Sequence, residues 1–89
     1  MRAEGIAALL EAGDRKGAET ALDAALTARH ASGAARELCA LHRLAARFWE
    51  GDADRAAFHL THAYVHALEA GDDAATRTLH AALAAMGRV

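Results

Sequence analysis

Three times along this chain a glutamate is followed closely by glycine and then aspartate: Glu11-Ala12-Gly13-Asp14, Glu50-Gly51-Asp52 and Glu69-Ala70-Gly71-Asp72. Glycine tolerates the left-handed backbone that ends many helices, and an aspartate just beyond it can accept hydrogen bonds from the orphan amides of the next helix's first turn. Ser32-Gly33 supplies a fourth break, with Ser32 as the cap. The chain contains no proline, the strongest helix breaker, and alanine, the best helix former, is its commonest residue. These signals predict an all-α chain of antiparallel hairpins, with five helices over residues 2–12, 15–31, 34–50, 53–70 and 73–87.

Eighty-nine residues suit a single domain, residues 1–89, and a chain of that length buries roughly 60 to 65% of its unfolded surface. Hydrophobic residues make up 54% of the sequence but aromatics only 4%, so a few long side chains must supply most of the burial. Ile6, Leu9, Leu10, Leu22, Leu26, Leu38, Leu41, Leu44, Phe48, Leu60 and Leu68 are the expected core. Dimerisation would add to it.

Sliding the sequence by 51 − 13 = 38 positions superimposes more than the junctions. Ala3, Ile6, Ala7 and Leu10 fall on Leu41, Leu44, Ala45 and Phe48, while Ala18, Leu22, Ala25 and Leu26 fall on Ala56, Leu60, Ala63 and Tyr64. A second shift carries the 41–48 set onto Leu79, Ala82, Leu83 and Met86. A two-helix repeat of this length signals stacked hairpins, each burying its apolar face on the next. The count is two and a half units. An ordinary helical bundle, whose many alanines match by chance, is the competing reading, and it too is all-α.

The run Leu41-x-x-Leu44-Ala45-x-x-Phe48, Gly51-Asp52, Ala56-x-x-x-Leu60-x-x-Ala63 resembles a tetratricopeptide repeat, and the likeness extends over nearly the whole chain. The period of 38 is longer than that family's usual 34, the closing proline is missing, and the second helix of each hairpin is about one turn longer. The likeness is nearest to long-helix variants in bacterial regulators. It implies a non-catalytic module that binds a peptide or helix of a partner protein through its first, third and fifth helices. The contact residues it implies are Cys39, His42, Ala46, Trp49 and Glu50 on the third helix, and Arg77, His80, Ala84 and Arg88 on or just beyond the fifth. The family's clamp for C-terminal carboxylates needs lysine and asparagine where His42 and Ala46 stand, so that specificity is not expected. Trp49 has two open readings, groove anchor or core.

His59, His62 and His66 lie within about 60° of one another on the fourth predicted helix. One reading is a polar strip facing water with Arg55 and Glu69. The other is transition-metal or proton binding, since His62 and His66 at i and i+4 can share an ion. His59 and His66 are about 10.5 Å apart along the axis, so a shared metal would need a ligand from a second helix or subunit, with His30 and His80 as candidates. The first reading assigns no metal and no cofactor.

The formal charge of −2 gives no positive field for nucleic acid or an anionic membrane. Locally, Arg36, Arg43 and Arg47 recur on one face of the third helix. The helices before it carry Glu4, Glu11, Asp14, Glu19 and Asp23. That asymmetry suits a solvated face or the steering of a charged partner or second copy. Cys39 is the only cysteine, which removes disulfides and multi-cysteine zinc sites. Cys39 with His42 is the one nucleophile and base pair at helical spacing, with no third residue to orient it, and no phosphate loop is present. The expectation is no enzyme. No signal peptide or membrane span is read, so a cytoplasmic protein is expected.

Overall fold

Each predicted helix forms, with ends at most two residues from those expected. The computed structural model describes the backbone of residues 3–32 and 34–89 and the side chains of residues 3–28 and 34–89. It contains α1 (Ala3–Glu11), α2 (Arg15–Ser32), α3 (Ala35–Phe48), α4 (Ala53–Ala70) and α5 (Asp73–Ala85). No strand occurs among the described residues.

All three junction aspartates cap. Asp14 accepts from the amide of Gly17 at 3.0 Å, Asp52 from Arg55 at 3.2 Å and Asp72 from Ala75 at 3.1 Å. Gly71 takes the left-handed conformation (φ 68°), and the Asp72 amide reaches back to the Ala67 carbonyl at 3.0 Å, closing α4 as the Gly-Asp signal predicts. Gly51 behaves differently. α3 ends earlier, at Phe48, and a turn in which the Asp52 amide donates to the Trp49 carbonyl at 2.8 Å replaces the glycine cap. Ser32 is not the cap of α3: α2 runs through it, and the residue before α3 is Ala34, which makes no side-chain cap bond. Gly33 lies outside the described residues.

α3 is the centre of the stack. It packs against α1, α2 and α4, and α5 packs on α4. One side of α3 gives Leu41, Leu44, Ala45 and Phe48 to a core shared with Ile6, Ala18, Leu22 and Ala25. Cys39 joins Ala63, Ala67, Ala75 and Leu79 in a second core. The helix is therefore buried on two sides.

The core expectation needs one correction. Leu68 is exposed, in a row with Phe58 and Val65, because α4 buries itself through small residues. Ala56, Ala57, Ala63 and Ala67 form its seam, and Leu68, one residue past Ala67, is turned about 100° away. Leu9, Leu10, Leu26 and Leu60 are half-buried, packed on the two cores.

Ala45, Ala63 and Ala67 have no exposed surface at all, so neighbouring backbones approach over a side chain of one carbon. Replacing Ala63 by leucine forces extra methylenes into this seam and is expected to cost about 1 to 3 kcal/mol in urea unfolding. The same change at exposed Ala81 should move stability by less than about 0.5 kcal/mol.

Candidate functional site

With α3 enclosed on two sides, Arg36, Ala40, Arg43 and Arg47 form a stripe it leaves in water, and Glu37 in its first turn is exposed beside them. The stripe residues recur at intervals of 4, 3 and 4 residues, one helical face. Arg36 reaches Asp72 at 3.4 Å, an exposed pair of little energetic weight. Arg43 and Arg47 stand between two grooves and line both. One, of about 380 Å³, runs between α3 and α5, with Ala56 and Leu60 of α4 as its floor and Ala46, Leu79, Ala82 and Met86 on its walls. The other, of about 390 Å³, lies toward α1 and is lined by Ala3, Glu4, Ala7, Ala40 and Leu44.

The partner-contact residues expected from the sequence divide. Ala46 and Glu50 line the α3–α5 groove, and Arg77, His80, Ala84 and Arg88 are exposed. Arg88 is held by Asp54 at 2.8 Å, and the His80 ring lies 6.1 Å from that of Tyr64. Cys39 and His42 are buried, so neither presents an exposed contact. Burial pushes the Cys39 thiol above its ordinary range, with Asp72 adding to the rise and Arg43 opposing it, which makes it a poor nucleophile.

Trp49 is half-buried at the edge of the first core. Its ring meets Phe48 edge-on at 5.0 Å, and the Arg55 guanidinium lies 4.3 Å from its centroid. Arg15 sits 4.0 Å from the Phe48 ring and donates to the Phe48 carbonyl at 2.7 Å. A cation thus closes the C-terminal end of α3, where the helix dipole favours it. Trp49 belongs to this packing corner.

The histidine strip does not face water. His59, His62 and His66 are half-buried and turned toward His42 of α3, which is only 4% exposed. The His42 ring centroid lies 5.3 Å from that of His59, 5.1 Å from His62 and 5.5 Å from His66. His42 and His59 share a hydrogen bond between their Nδ1 atoms at 3.1 Å, and His66 Nδ1 is 2.9 Å from the Glu69 carboxylate. Ligand nitrogens of His42, His62 and His66 all lie within 4.8 Å of one another. The second helix required for convergence is therefore α3. His80 is on α5 beside Tyr64, and the side chain of His30 lies outside the described residues.

The signal for His42 was present in the numbering. In an antiparallel hairpin, residues equally far from the turn face each other, and His42 and His59 are each 8.5 positions from the midpoint between Glu50 and Gly51.

Comparison with protein-family models, with curated proteins and with solved structures finds no match for this chain.

Burial is the main force holding the His59 imidazole below its ordinary value of 6.5, with His62 adding repulsion and Asp23 opposing both. The unfolded chain therefore takes up a proton at His59 before the folded chain does, and stability falls as pH drops below 6.5 toward the depressed folded value. The thermal midpoint should decline as the pH falls through the window just below 6.5, with His59→Gln flattening the decline. An unchanged midpoint across that window would show that the imidazole is not desolvated.

Proposed function

We propose that this chain is a non-catalytic helical-repeat adaptor of the tetratricopeptide type, and that its α1, α3 and α5 side binds an acidic, partly apolar segment of another protein. The observation that carries this reading is the placement of Arg43 and Arg47 on the ridge between two apolar grooves. Among the described residues neither guanidinium is in an ion pair, so both are available to carboxylates, which Arg binds in a two-pronged geometry. The apolar lining supplies affinity, and the paired cations supply orientation and steering. The 38-residue repeat and the stacking of helices around α3 support the family likeness.

This reading revises the contact set. Ala46, Glu50, Arg77, His80 and Arg88 remain candidates, Arg43 and Arg47 become its centre, and Cys39, His42 and Trp49 act from behind the surface as packing. It assigns no catalytic residue. It places the protein in the cytoplasm, and no helix among the described residues is long and apolar enough to cross a membrane.

A displayed peptide library tests the reading. Selection on the wild-type chain is expected to enrich sequences that combine acidic with apolar residues, with binding that weakens as salt rises. The Arg43→Glu, Arg47→Glu double variant, with both changes on exposed positions, should keep its helix content and bind those peptides at least about tenfold more weakly, the equivalent of about 1.4 kcal/mol. Enrichment of peptides without acidic residues, or equal binding by the double variant, would remove the arginine ridge from the mechanism.

A further inference from the structure

We propose that His42, His62 and His66 form a site for a divalent transition metal of borderline softness, with zinc as the reference ion. The site is separate from the arginine ridge and does not depend on it. Its ligand nitrogens come within 4.8 Å of one another, and a tetrahedral ion with Zn–N bonds of about 2.0–2.1 Å holds its ligands about 3.3 Å apart. Each pair of rings then closes by at most about 1.5 Å, which small side-chain rotations supply.

The chemistry of the donor set is consistent. Imidazole binds Zn²⁺, Cu²⁺ and Ni²⁺ well, and hard cations that want oxygen poorly. A metal-bound histidine commonly donates its other ring N–H to a carboxylate, which fixes the tautomer and ring orientation. Glu69 stands in that position, 2.9 Å from His66 Nδ1, so the lone pair belongs to His66 Nε2, which is buried. His59 stands beside His42 in a similar way, its Nδ1 3.1 Å from His42 Nδ1, a polar neighbour able to orient a metal-bound imidazole. Three protein ligands leave the fourth position of a tetrahedral ion to water. The Phe58 ring, 4.5 Å from that of His62 and 5.2 Å from that of His59, gives the cluster an apolar neighbour.

Pairing of helices does not itself require these imidazoles. The 38-residue shift places Glu4, Ala24 and Ala28 of the first hairpin on His42, His62 and His66 of the second, and α1 and α2 pack together without a histidine at any of the three. Gathering several imidazoles around a buried one carries a desolvation cost that an apolar side chain avoids, and metal ligation offsets it.

Calorimetric titration of zinc into the untagged full chain, stripped with chelator and held at pH 7.5, tests the assignment. One ion per chain is expected, with affinity falling as the pH is lowered because protons compete for the same nitrogens. His62→Ala and His66→Ala, both at half-buried positions and checked for helix content by circular dichroism, should each weaken binding at least about tenfold, while His80→Ala leaves it unchanged. Absence of saturable binding, or binding undiminished in folded His62→Ala and His66→Ala chains, overturns the site.

Discussion

Everything in this fold depends on the burial of α3 from two sides. An 89-residue chain with 4% aromatics has little bulk to hide, and it hides most of it around one helix: Leu38, Cys39, Leu41, His42, Leu44, Ala45, Ala46 and Phe48 are all buried. Since α1 and α2 cover one side and α4 another, α3 leaves to solvent one stripe along its length, with Glu37 exposed beside it in the first turn. That stripe carries the arginines. Confinement of the helix and concentration of positive charge along its free edge are thus two consequences of the same packing.

The second consequence concerns polarity inside the stack. α4 packs through Ala63 and Ala67, which have no exposed surface, and the larger groups that α4 turns toward α3 are its histidines. With His42 they make four imidazoles. His42 is buried and the other three are half-buried, with ring nitrogens meeting at 3.1 Å between His42 and His59 and a carboxylate 2.9 Å from His66, and a neutral imidazole offers both a donor and an acceptor. Water would satisfy such groups more cheaply one by one. Their assembly against α3 makes the second hairpin chemically unlike the first, whose matching positions carry alanine and glutamate.

Much of the architecture is legible in the sequence. Gly13-Asp14, Asp52 and Gly71-Asp72 encode their junctions locally, through backbone conformation and capping, so they could be read directly. The large residues Ile6, Leu41, Leu44 and Phe48 are legible because so few long apolar side chains are available to fill a core. Leu68 was misplaced because hydrophobicity alone does not say which face of α4 an alanine seam selects. His42 was read as a groove residue for a related reason. Its environment is set by a hairpin partner seventeen positions away, and periodicity within one helix is blind to such a pairing. The arginine stripe was visible as a pattern, whereas the grooves on either side of it depend on the spacing of α1 and α5 about α3.

Native-state hydrogen exchange measures the central constraint residue by residue. If α3 holds the stack together, its amides between Leu41 and Phe48 exchange only through global unfolding and share the largest protection in the molecule, while α1 and α5, each packed at an end of the stack, open at lower free energy. Protection of α3 no greater than that of α1 or α5 would contradict a fold organised around it.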